Sequence, residues 1–222
     1  MNSLPIIFNS GHLFIEVDRE LWLFDTGAPT SFGESCEITI DDKCFRLGNG
    51  YMGLSASTLS HYTGVECRGL IGADILGKFD HLLDVSGGTI IISTGDLEHT
   101  GNSLPLSEFM GIPILTARIS GSNYRMFFDT GAQISYLQDD AITGFPPAGS
   151  VTDFYPGVGQ FQTDTYQVQV GLGDCAFTLR CGSLPSLLGV TLMMADTSGI
   201  IGNQITENRV IGYFPRRNVL CL

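Results

Sequence analysis

Asp25 and Asp129 each open the same tetrapeptide, Asp25-Thr26-Gly27-Ala28 and Asp129-Thr130-Gly131-Ala132. Each copy follows an apolar run, Leu21-Trp22-Leu23-Phe24 or Met126-Phe127-Phe128, and each has a serine at the same offset, Ser31 or Ser135. One copy alone reads as a turn after a strand, a common use of Asp and Gly. Two copies, one in each half, read as two carboxylates brought face to face. Like charges that close cannot both ionise cheaply, so the pair holds one proton. One carboxylate then takes a proton from water while the other protonates the carbonyl under attack, which is chemistry for hydrolysing amides.

Such a pair needs a scaffold that presents two loops alike, and the sequence repeats beyond the tetrapeptides. Gly69-Leu70-Ile71-Gly72-Ala73-Asp74-Ile75 follows the first copy, and Gly199-Ile200-Ile201-Gly202-Asn203-Gln204-Ile205 follows the second. Each half ends in a β-rich run, Thr89-Ile90-Ile91-Ile92 or Asn218-Val219-Leu220-Cys221-Leu222. The order is strand, Asp-Thr-Gly loop, strands, apolar-apolar-Gly, short helix and final strand, twice over. An internal repeat of this kind sets the architecture.

With these motifs the chain resembles the aspartic peptidases over almost its whole length. The Asp-Thr-Gly-Ala form and the segment Gly69–Leu76 look more like the retropepsin-like branch than pepsin, as if two retropepsin-sized halves were fused in one 222-residue chain. The resemblance implies an all-β, bilobal fold with short helices and a cleft between two pseudo-symmetric lobes. It assigns catalysis to Asp25 and Asp129, and loop support to Thr26, Gly27, Thr130 and Gly131. Thr26 and Thr130 would hydrogen-bond across the pseudo-dyad. Ile71, Gly72, Ile201 and Gly202 would brace the loops from behind. The implied activity is an endopeptidase acting on an extended peptide or protein, by water attack, without a covalent intermediate, cofactor or metal. A peptide-binding or scaffolding module on the same fold is the alternative, because fold alone does not fix function. Two intact aspartates argue against it. A selective processing enzyme that cuts one partner lies within the first reading.

The expected organisation is a first lobe at 1–94, a polar, turn-rich linker at 95–108 and a second lobe at 109–222. Residues 5–24 read as two strands around a turn near Asp18-Arg19-Glu20, 36–47 as a hairpin, 54–62 as a helical turn, 73–83 as a helix and 88–93 as a strand. The halves differ in length. Asp25 and Asp129 lie 104 residues apart but Gly72 and Gly202 lie 130 apart, so the second half holds 26 more residues between loop and brace. The surplus falls at about 139–166 and contains Asp153-Phe154-Tyr155-Pro156-Gly157-Val158-Gly159-Gln160-Phe161. It reads as a mobile hairpin, a single flap carried by the C-terminal half. Tyr155 and Phe161 would face substrate, and Gly157 and Gly159 would let the tip open.

Composition narrows the partners. The net charge of −12, with Lys43 and Lys78 the only lysines, excludes nucleic acid and anionic membrane surfaces. With 43% hydrophobic and 15% charged residues the chain has ample core. No run approaches the length of a membrane span. A monomer is expected, since one chain supplies both carboxylates. No leader is visible in Met1-Asn2-Ser3-Leu4-Pro5, which favours the cytoplasm. The six cysteines show no Cys-X-X-Cys; free thiols are favoured, with Cys36–Cys44 or Cys175–Cys181 as possible hairpin bridges. Gly48-Asn49-Gly50-Tyr51-Met52-Gly53 matches a dinucleotide fingerprint but lacks the parallel strand and long helix that fingerprint needs. His12, His61, His81 and His99 are scattered, without ligand spacing, and read as surface or satisfied core residues. In the pepsin-like enzymes the chain resembles, the positions of Ala28 and Ala132 commonly carry a Ser or Thr whose hydroxyl donates to the carboxylate and lowers its pKa, so the resemblance implies a less acid working pH, about 4–6.

Overall fold

Each half starts with two tight turns that fold short apolar segments back on themselves. Ser10-Gly11 and Asp18-Arg19 in the first half, and Met110-Gly111 and Ser120-Gly121 in the second, all take positive φ. Two consecutive left-handed residues match the twist of a two-residue hairpin. The first pair of turns joins strands Asn2–Asn9, His12–Val17 and Glu20–Phe24; the second joins Ser107–Phe109, Ile112–Ile119 and Ser122–Phe128. The chain before Asp25 thus holds three strands where two were expected. In this computed structural model residues 1–222 are described, the side chains at 186–188 apart.

The strand that ends at each Asp-Thr-Gly loop runs parallel to its apolar-apolar-Gly strand, pairing Phe24 with Ile71 and Phe128 with Ile201. A short strand after each loop, Phe32–Gly33 or Ser135–Leu137, pairs antiparallel on the other side. The strands gather into a ten-stranded, an eight-stranded and a two-stranded sheet, so the fold is all-β with short helices. The chain's last strands, Val210–Phe214 and Val219–Cys221, lie in the ten-stranded sheet with Asp80–Asp84 and Asn2–Asn9. One sheet therefore takes strands from both sides of the expected linker. A continuous core runs from Ile6, Phe24 and Leu83 to Leu115, Phe128 and Tyr213.

Several local expectations change. Residues 73–83 are not one helix: α2 spans only Ala73–Leu76, and Asp80–Asp84 is a strand. That strand has a ladder on both edges, with Val210–Phe214 and with Thr89–Ser93, and the pairing overrides local helical pattern. The helical turn at 54–62 is α1, Ala56–Thr63, opened by a Ser55/Thr58 capping box and closed by left-handed Gly64. Strand Ser103–Pro105 lies within the expected linker and Ser107–Phe109 straddles its end; they pair with Val219–Cys221 and Ile112–Ile119. All six cysteines are free. Cys175 and Cys181 sit on one strand, Cys175–Gly182, which rules out a bridge across a hairpin. Across the hairpin Cys44 faces Thr39, not Cys36.

Candidate active site

The two Asp-Thr-Gly loops are held by matching hydrogen bonds. The backbone N–H of Asp25 donates to Ile71 O at 3.1 Å, and that of Asp129 to Ile201 O at 2.9 Å. Oδ1 of Asp25 accepts from the N–H groups of Gly27 and Ala28 at 2.8 and 3.0 Å. Oδ1 of Asp129 accepts from Gly131 and Ala132 at 2.9 and 3.1 Å. Behind each loop, Gly72 N–H donates to Ser31 Oγ at 2.8 Å and Gly202 N–H to Ser135 Oγ at 3.0 Å. The offset serines thus tie each loop to its brace. Ala73 and Asn203 complete the contact by donating to the carbonyls of Ala28 and Ala132 at 2.8 and 2.9 Å. A side chain at Gly72 would put its Cβ 2.6 Å from Ala28 O, so the brace can approach this closely only as glycine.

Thr26 and Thr130 lock the loops to each other. Each backbone N–H donates to the other's hydroxyl, both at 3.0 Å. Each hydroxyl donates onward to the opposite strand end, Thr26 to Phe128 O at 2.7 Å and Thr130 to Phe24 O at 2.8 Å. Both threonines are fully buried. The lock brings each glycine against the other loop's carboxylate. A Cβ on Gly131 would stand 2.5 Å from Asp25 Cγ, and one on Gly27 would overlap the carboxylate of Asp129. The lock therefore sets the two carboxyls beside each other. Both open onto the cleft but are otherwise enclosed by protein. Burial raises the pKa of each, against the lowering effect of the backbone N–H donors, and the charge of Asp25 pushes Asp129 further up.

The carboxylates sit on the floor of a cavity of about 400 Å³. Leu23, Leu59 and Leu70 wall one side, and Ile112, Leu184 and Ile200 the other. The hairpin of strands Pro147–Tyr155 and Gly159–Leu172 closes over it, with Tyr155, Gly157 and Phe161 in the lining. Gly159 lies at the start of the return strand and faces Tyr62 rather than the cavity. Gly157 and Gly159 both have positive φ, +76° and +82°. The hairpin docks on the first half: Phe154 stacks on Tyr62 of α1, ring centroids 5.1 Å apart. The first half also contributes to the rim, since Tyr51, Met52 and Leu54 line the same cavity.

Three residues at this site carry no local signal in the sequence. Tyr136 matches Phe32 in position after its aspartate, and both are buried in the cavity wall. The additional hydroxyl of Tyr136 donates to Oδ2 of Asp153, a buried carboxylate of the hairpin. Burial raises the pKa of Asp153 above the usual carboxylate range. His12 is buried and its Nδ1 lies 3.0 Å from Gly131 O, in the second Asp-Thr-Gly loop. Burial lowers its pKa, partly offset by Asp153, the Gly131 carbonyl and Asp25. Tyr136 stands seven residues after its aspartate, as Phe32 does, so aligning the halves on the aspartates exposes it; His12 and Ile112 match only through the turns at Gly11 and Gly111 that precede them.

No protein-family model and no curated protein matches the chain. Among solved structures it is similar to the crystal structure of basic 7S globulin from soybean, at 10% identity and a TM-score of 0.49, over 98% of this chain and 93% of the globulin's.

Proposed function

We propose that the protein is a single-chain aspartic endopeptidase, bilobal, with two retropepsin-like halves and one cleft between them. The observation that carries this reading is the mutual approach of the loops, each glycine packed against the other half's carboxylate beneath a covered, mostly apolar cavity. Asp25 and Asp129 share one proton. The ionised carboxylate takes a proton from the attacking water, and the protonated one gives its proton to the scissile carbonyl oxygen. The tetrahedral diol then collapses, with a proton returned to the leaving nitrogen and the C–N bond broken. Burial raises both pKa values and so favours the singly protonated pair that this exchange needs.

The four-bond threonine lock keeps the carboxylates in place without reorganisation during the reaction. The hairpin acts as the flap: it covers an extended peptide and excludes water, and Tyr155 and Phe161 touch the chain near the scissile bond. Met52, Met110 and Val190 line the cavity yet stay exposed, so the rim favours apolar residues flanking that bond.

The test is cleavage of a diverse peptide library over a pH series, with wild type beside Asp25→Asn. Cuts by wild type that vanish in the variant support the reading. Tight binding of a statine-type mimic without any cleavage would instead mark a peptide-binding module.

A further inference from the structure

The two halves touch each other's Asp-Thr-Gly loops unequally. Gly11 and Gly111 are matched in position, in backbone conformation (φ +83° and +80°) and in preceding the strand that hairpins into the Asp-Thr-Gly strand. Their neighbours differ. Gly11 O accepts from Asn203 Nδ2 at 2.8 Å, and His12 Nδ1 meets Gly131 O at 3.0 Å. Gly111 faces the methyl group of Ala73, and Ile112 has no polar atom to offer Gly27. Among the described residues nothing donates to Gly27 O.

Gly131 O is an acceptor, so the His12 ring must carry its proton on Nδ1. That carbonyl belongs to the Gly131–Ala132 peptide, whose N–H, on Ala132, donates to Oδ1 of Asp129 at 3.1 Å and, more weakly, to the Asp129 carbonyl at 3.4 Å. A peptide unit is planar, so holding its oxygen fixes the direction of its N–H. A donor on the oxygen also polarises the N–H and strengthens the bond it makes. The matching Gly27–Ala28 peptide donates to Asp25 at 3.0 Å without that support.

We propose that His12 is a positioning residue: by holding the Gly131–Ala132 peptide it fixes the N–H that Asp129 accepts, and so makes the two carboxylates inequivalent. A fixed donor to the charged form restrains the rise that burial imposes on the pair. The other groups facing this assembly are Asp25, Tyr136 and Tyr155 around Asp129, and Asp153 and Asp25 around His12. The inference rests on the reading of Asp25 and Asp129 as a proton-sharing pair.

The experiment is carboxyl-carbon NMR titration of the aspartates in wild type, His12→Ile and His12→Asn, with kcat and KM measured alongside. His12→Ile installs the residue found at the matched position in the other half. Asn places its Nδ2 where the imidazole Nδ1 lies. His12→Ile should raise the pair's upper apparent pKa by about half a unit to one unit. It should also lower kcat about three- to tenfold with KM changed less than about twofold. His12→Asn should restore the titration to within about 0.2 unit of wild type. Identical titration in wild type and His12→Ile, or an equal shift in both variants, overturns the proposal. Nitrogen NMR of wild type needs no variant: the proton must sit on Nδ1, and an Nε2–H tautomer also overturns it. If wild type cuts no peptide, the peptidase reading fails while titration and tautomer still decide the role of His12.

Discussion

Replacing Thr26 by valine keeps the side chain's shape and removes its hydroxyl oxygen. Two bonds of the lock disappear: Thr26 Oγ1 to Phe128 O, and Thr130 N–H to Thr26 Oγ1. The groups left behind, a carbonyl and an N–H, are buried between the halves, where water does not replace the lost partner. Each unsatisfied buried group costs about 1–3 kcal/mol, so the pair costs about 2–6 kcal/mol. Against a total stability of about 5–15 kcal/mol, that is a large fraction. In a chain of this size each kcal/mol moves Tm by about 2–4 °C, so the midpoint should fall by roughly 10 °C. Thr26→Ser keeps both bonds and should lose much less.

Thr130→Val breaks the other two bonds, and the double variant should cost less than the sum of the singles, because the loops are then already free of each other. The assay is thermal and urea unfolding of the four proteins, followed by circular dichroism, with peptide cleavage measured on the same samples. A Thr26→Val midpoint within about 1 °C of wild type, or strict additivity in the double variant, would refute the idea that these bonds hold the loops together.

Asp25→Asn and Asp129→Asn should each abolish cleavage, a loss of about 10²–10⁴-fold or more, which peptide assays will show. The same substitutions should raise Tm at pH 7. Burial holds each native carboxyl pKa above 3.8, so the native state binds protons more tightly than the unfolded chain, and stability drains away as pH rises from 3.8 through the raised native value. Removing the titrating group removes that loss, and unfolding measured at pH 4 and pH 7 should differ less in the variants than in wild type. Cleavage should be fastest at about pH 4–6, and Ala132→Ser, by adding a donor to the carboxylate, should move the acid limb of the pH–rate profile downward. Gly157→Pro forces negative φ on a residue at +76°, so it distorts the hairpin tip; it should cripple turnover in a steady-state assay and lower the unfolding midpoint by about 2–4 °C. Normal turnover in that variant would separate the hairpin from the reaction.

What the sequence carries by itself is whatever is encoded in adjacent residues and their repetition. Asp-Thr-Gly-Ala appears twice because each loop carries a hydroxyl that bridges to the other and a residue without a side chain where the opposing carboxylate sits. The serine six residues after each aspartate and the apolar-apolar-Gly segments are legible for the same reason, as are the extra residues that form the hairpin. Long-range pairing is not written this way. Residues 80–84 have no local preference strong enough to mark them as strand; they become one because Val210–Phe214 arrives from the far end of the chain and offers a ladder. Cys175 and Cys181 look able to cross a hairpin until the strand proves long enough to carry both. His12 lies 119 positions from Gly131, and Asp153 17 from Tyr136, so no local window places either beside its partner. Only the closing of one half on the other brings the imidazole to the second loop, and only burial there makes its hydrogen bond costly to lose.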